Sequence, residues 1–240
     1  NIPEQGDVVQ ETWGLIDGLQ KVEYNTSRRE VDTPEDTSPP VYIPLFVGLS
    51  QEGNLSSHTQ IINGVSPIPS QMAIGATWNP SLAEEVGTVV GEELSRLGVN
   101  LLLGPSLDVL EVPQPGESSD LGVRVFGGDP YWVGKMGQAY ITGVHKGSSN
   151  QILVVGKYFP GLGSADRLPE EEIATVRKSL EQLKQIELAP FFAVTGEAQS
   201  QESTVDALLT SHIRYQGLQG NIRSTTRPIS LDPQAFRLLM

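Results

Sequence analysis

An α/β protein built on a parallel sheet is what this sequence predicts, and three observations carry that expectation. Strand-like and helix-like stretches alternate along the chain, as right-handed crossovers between parallel strands require. The run Ile152-Leu153-Val154-Val155-Gly156-Lys157-Tyr158-Phe159-Pro160-Gly161 is apolar and β-branched before it breaks into a lysine, an aromatic pair and a turn. Such a run reads as a buried strand that delivers a charged group to its C-terminal end, where parallel α/β folds bind ligands. The 240 residues, 38% hydrophobic and 19% charged, suit one sizeable core in the size range of a single α/β barrel domain.

Charge and composition exclude several function classes. With 29 acidic against 16 basic residues the net charge is -13, which disfavours nucleic acid and anionic membrane surfaces as partners. The absence of cysteine removes disulfides, thiolate catalysis and cysteine metal sites. His58, His145 and His212 stand far apart without metal-ligand spacing, so no metal is expected, and nothing suggests an organic cofactor. No apolar run approaches the ~20 residues of a membrane span.

In chain order, Val9, Trp13, Ile16, Leu19 and Val22 recur at helical spacing and predict an amphipathic helix over 8–22, followed by a mobile polar loop over 25–40. Residues 1–40 are therefore expected to form an N-terminal helix and loop ahead of a domain over 41–240. Val41 to Leu49 predicts the first strand, with Pro44 confined to its start. Asn79-Pro80 sets a helix N-terminus, Leu82, Val86, Val89, Val90, Leu94 and Leu97 supply its apolar face, and Gly98 ends it. Val99 to Leu103 is the next strand. Asp129-Pro130 repeats the cap-and-proline device for a helix carrying Val133, Met136, Tyr140 and Val144, and the strand over 152–157 follows. Pro169 with Glu170, Glu171 and Glu172 predicts a further helix start, since carboxylates favour that end of the dipole. Thr204 to Thr210 reads as a strand and Asp232-Pro233 as the start of a last helix. Four strands with two open edges need cover, from further polypeptide or from a partner subunit.

Five motifs occur in an order that makes the chain similar to glycoside hydrolase family 3, on its β-N-acetylhexosaminidase branch. They are Pro44 to Val47 before Gln51-Glu52-Gly53, Gly98 to Asn100 leading to Gly104 to Val109, Arg124 to Pro130, Lys157 to Gly161, and Ser211-His212-Ile213. The resemblance implies a parallel (β/α) barrel of TIM type, incomplete over this length. It also implies a retaining glycosidase acting on terminal β-linked N-acetylhexosamine or related sugars, with a carboxylate nucleophile and a general acid/base. By that resemblance Arg124 and Lys157 match sugar-holding positions, Tyr158 stands beside them, and His212 lines the same mouth. The competing roles are loop-bracing ion pairs for Arg124 and Lys157 and a hydrogen-bonded supporting role for His212. Asp108 is expected to order the strand-end loops.

Departures from the pattern predict a catalytically deficient chain. Ser50 replaces an aspartate that holds the sugar, Asn54 a glycine, and Tyr158 a histidine. Asp166 is the candidate acid/base, but no histidine accompanies it on its loop, and the family nucleophile would fall after Met240. The alternative expectation is a non-catalytic carbohydrate-binding or structural subunit of an assembly.

Overall fold

The computed structural model describes residues 7–28, 42–53, 60–111, 113, 121–167 and 173–239. Its elements begin with α1 (Val8–Ser27), β1 (Gly48–Leu49), α2 (Gln71–Gly75), α3 (Pro80–Arg96), β2 (Leu101–Ser106), α4 (Pro130–Gly147) and β3 (Leu153–Phe159). They continue with β4 (Thr175–Val176), α5 (Leu180–Gln185), α6 (Ala189–Ala193), β5 (Ala207–Thr210), β6 (Arg214–Tyr215), α7 (Gln216–Gln219) and α8 (Pro233–Leu239).

The main sheet has the order β1-β2-β3-β5, and every pairing in it is parallel. It is open: among the described residues no strand joins β1 to β5. Helices cover one face, while Leu153 and Leu209 on the strands stay substantially exposed. A second, two-stranded sheet pairs β4 with β6.

The two long helices form where their caps predict. Asn79 accepts a hydrogen bond from the Ser81 amide ahead of Pro80, and Asp129 accepts one from the Trp132 amide ahead of Pro130. They then pack backbone to backbone through glycine. A Cβ added at Gly87, Gly91, Gly143 or Gly147 would fall 2.2, 2.3, 2.1 and 2.1 Å from the carbonyl oxygens of Tyr140, Val144, Glu84 and Thr88 respectively. Only hydrogen at those positions permits this approach, which holds α3 and α4 as one layer behind the sheet.

Several expected elements form differently. The first helix runs on to Ser27, past the predicted start of the loop, and it buries Ile16 while Trp13, Leu19 and Val22 remain exposed. Of the first strand only Gly48–Leu49 enters the ladder. The residues before it are held by side chains instead: Leu45 N–H donates to Gln20 Oε1, Leu45 C=O accepts from Asn100 Nδ2, and Val47 N–H donates to Asn100 Oδ1. The helix expected from Pro169 does not occupy 173–179, which holds β4; α5 starts later, where Ser179 and Gln182 form a reciprocal capping box. Pro169 to Glu172, Asn54, His58, Val41 and the loop beyond Arg28 lie outside the described residues.

Candidate active site at the strand ends

Because the strands are parallel, their C-terminal ends lie side by side: Ser50 follows β1, Ser106 ends β2, Lys157 lies two residues before the end of β3, and His212 follows β5. Register places Ser106 opposite Lys157 and Thr210 opposite Phe159. Lys157 is almost fully buried. Its ammonium group pairs with the equally buried Glu52, donates to Ser50 Oγ at 3.3 Å, and stands 5.3 Å from the Tyr158 ring centroid. Tyr158 itself has φ 72, a left-handed conformation uncommon for a bulky residue.

The loop after β1 is built to hold Glu52. Gln51 exchanges two hydrogen bonds with the Ile61 backbone, and the Glu52 and Gly53 amides both donate to Gln60 Oε1. Gly53 has φ 68, and a Cβ there would sit 2.3 Å from the Pro69 carbonyl oxygen. Glu52 is thus the group that neutralises Lys157, a role that its place in the Gln51-Glu52-Gly53 motif does not reveal from sequence.

Arg124 lies half-buried on a short 3-10 turn over Gly122–Arg124, its Nε donating to the Leu121 carbonyl at 3.3 Å. Its charge also acts on Asp108. His212 is exposed, with Nδ1 2.8 Å from Ser230 Oγ. Asp166 is drawn into a clasp: its carboxylate accepts from the Thr175 amide at 2.8 Å, its own amide donates to the Thr175 carbonyl, and Arg167 and Arg177 stand 3.4 and 3.9 Å from its oxygens. Lys157, Tyr158, Glu52 and Ser50 are therefore brought together directly, while Asp166 is spent on its own loop.

Beneath the strand ends lies a buried acidic group. Asp108 accepts from the Leu162 amide at 2.5 Å and also from Gly163, so it fixes the loop after β3. Burial pushes its carboxyl up to about 8, against those two hydrogen bonds; the charge of Glu187 adds to the rise and Arg124 opposes it. Glu187, fully buried, accepts from Ser164 Oγ at 2.7 Å and from Lys178 Nζ at 2.6 Å. Burial alone would lower Lys178, but hydrogen bonds to Glu111 and Glu187 and their charges hold it above the usual lysine range. Burial, with the charges of Asp108 and Glu187, raises the Tyr215 phenol well above its ordinary value. No metal-ligating cluster occurs among the described residues.

Comparison with known proteins decides the family. The glycosyl hydrolase family 3 N-terminal domain model matches residues 10–239. The chain belongs to glycosyl hydrolase family 3. It is 29% identical over 178 residues to a beta-hexosaminidase of Thiobacillus denitrificans, covering 72% of this chain and 45% of that protein. It is 28% identical over 206 residues to a beta-hexosaminidase of Pseudomonas aeruginosa, covering 85% and 56%. Among solved structures it is similar to a family 3 beta-N-acetylglucosaminidase from a Paenibacillus species, with TM-score 0.78, 27% identity, and coverage of 96% of this chain and 38% of that one. The chain spans about half the length of the curated relatives it matches. Its open parallel sheet is a portion of the TIM-type barrel of family 3. No helix of the described residues is long and apolar enough to cross a membrane.

Proposed function

We propose that this family 3 domain recognises a terminal β-linked N-acetylhexosamine at the strand ends and does not by itself hydrolyse it. The observation that carries this reading is Lys157: a buried ammonium near the end of β3 is held in place by Glu52 and Ser50, a fixed cation among the strand ends. Arg124 and His212 are the further donors, and Tyr158 supplies a ring beside Lys157. Similarity to beta-hexosaminidases supports the choice of sugar.

Two features support catalytic deficiency. A general acid/base is worth ~10²–10⁴-fold and must reach the leaving oxygen, whereas the Asp166 carboxylate is already engaged by Thr175 and two arginines. Ser50 accepts only a weak share of the Lys157 charge and donates to the Leu103 carbonyl at 3.1 Å, so it cannot replace the two-oxygen acceptor of an aspartate.

Calorimetric titration tests the binding half, with N-acetylglucosamine expected to bind and Arg124→Ala expected to weaken it. No heat at millimolar sugar would overturn the assigned site. Steady turnover of p-nitrophenyl N-acetyl-β-glucosaminide by the 240-residue chain would overturn the deficiency.

A further inference from the structure

A second polar and aromatic surface lies at the same end of the sheet, on the helix side of the strand ends. Since α3 and α4 return between parallel strands, their N-terminal ends sit where the strands finish. Trp78 ends the turn before α3, and Tyr131 and Trp132 open α4. The half-buried Trp132 is the hub: its ring meets Trp78 at 5.0 Å and 90°, and Tyr131 at 5.8 Å and 82°. Trp78 is 57% and Tyr131 63% exposed, so two large rings are held out in solvent by edge contacts with a third.

Trp78 also has φ 52, a conformation that glycine adopts freely and a bulky side chain adopts only with strain. The turn over-determines it. Trp78 N–H donates to the Gly75 carbonyl, Thr77 Oγ1 to the Ile74 carbonyl at 2.6 Å, and Asn79 N–H to Thr77 Oγ1. A left-handed backbone that holds an indole more than half exposed, with the Trp132 ring as its aromatic contact, marks a position suited to contact with a ligand.

Beside Tyr131 a groove of 340 Å³ runs between α4 and α6, with Ala189 and Ala193 on its apolar wall and Lys135, Gln138, Gln185, Glu197 and Gln199 as its polar side chains. Its polar chemistry is three amides with one cation and one carboxylate, which is neutral in sum and rich in paired donors and acceptors. Gln138 is nearly buried and is fixed by donation from its Nε2 to the Ala193 carbonyl at 2.6 Å. On the other side, the Trp78 turn abuts the Arg124 loop: a Cβ on Gly75 would fall 1.7 Å from the Phe126 carbonyl oxygen.

We propose that Trp78, Tyr131 and the glutamine-lined groove form a second saccharide-binding surface that takes an extended, neutral, β-linked N-acetylglucosamine chain. The exposed Trp78 and Tyr131 rings, the latter with Lys135 Nζ 5.7 Å from its centroid, suit the C–H faces of pyranoses, and the amides suit their hydroxyl and acetamido groups. A net charge of -13 argues against an anionic polymer, and exposed rings beside a groove whose polar side chains are mostly uncharged amides suit a neutral, hydroxyl-rich chain. The choice of sugar rests on the function proposed above; the surface does not use the strand-end residues.

The test compares wild type with a Trp78→Gly, Tyr131→Ala double variant, in which glycine suits the backbone at 78 and residue 131 is on the surface. Retention on insoluble chitin and affinity for an N-acetylglucosamine tetramer are expected to fall about tenfold or more in the variant. Its affinity for the monosaccharide is expected to be unchanged and its melting temperature to stay within about a few degrees of wild type, since two edge contacts to Trp132 are lost while the left-handed backbone at 78 is relieved. Tetramer affinity equal to wild type, or a wild type that neither binds tetramer nor is retained on chitin, overturns the proposal. Chitin retention that depends on Trp78 and Tyr131 in a protein with no monosaccharide binding supports this surface while overturning the strand-end site.

Discussion

Replacing Asp108 by Asn probes the buried acid beneath the strand ends and has a calculable effect. With its carboxyl raised from 3.8 to about 8, Asp108 holds its proton in the native state over a window where the unfolded chain has released it. Below about pH 4 both states are protonated and there is no penalty; between about pH 4 and 8 the native state binds the extra proton, so stability falls as pH rises, by about 1.4 kcal/mol per unit. The shift of about four units corresponds to a total on the order of 5 kcal/mol. Asn keeps the oxygen that accepts from Leu162 and never ionises. Urea unfolding of wild type and Asp108→Asn near pH 5 and near pH 8 should therefore show the variant gaining about 4 kcal/mol relative to wild type between the two. A stability difference that is the same at both pH values would refute the assignment of a neutral, loop-holding Asp108.

Other perturbations follow from the same geometry. Lys157→Met leaves Glu52 buried without its cation and should cost about 3–5 kcal/mol, whereas adding Glu52→Gln should restore much of it; denaturant midpoints of the two variants decide. Gly143→Ala drives a methyl toward the Glu84 carbonyl across the α3–α4 contact and should destabilise by about 1–3 kcal/mol, read as a lowered melting temperature. His145 is buried with Nδ1 2.8 Å from the Glu202 carbonyl and Nε2 3.0 Å from Asp206, which also accepts from the Val154 amide. His145→Ala should cost about 1–3 kcal/mol and raise amide exchange at Val154, by loosening the entry to β5.

How far the sequence could be read depended on the range of the interaction. Asn79-Pro80 and Asp129-Pro130 encode helix starts within a few residues, and both helices form there. The β-branched run ending in Lys157 encodes its own strand, and it lies inside the sheet. Residues 42–47 show the opposite case: their composition is that of a strand, yet Gln20 and Asn100, distant in sequence, take the amide hydrogen bonds of Leu45 and Val47. The acidic cluster at Glu170 to Glu172 suggested a helix start, but the segment after it pairs as β4 with β6, a long-range choice no local pattern contains. In the site, Lys157 was legible as a strand-end cation; that Glu52 neutralises it and that Thr175 engages Asp166 was not.

By itself, then, the sequence determined the element types where caps, periodicity and β-branching act locally, together with the family through its ordered motifs. It also exposed the substitutions at Ser50 and Tyr158. Only the tertiary structure decided which charges meet. Burial raises the Asp108 carboxyl and pairs Lys157 with Glu52, and four glycines let two helices touch backbone to backbone. Desolvation and close packing are properties of the assembled interior, where residues far apart in the chain set each other's charge and position.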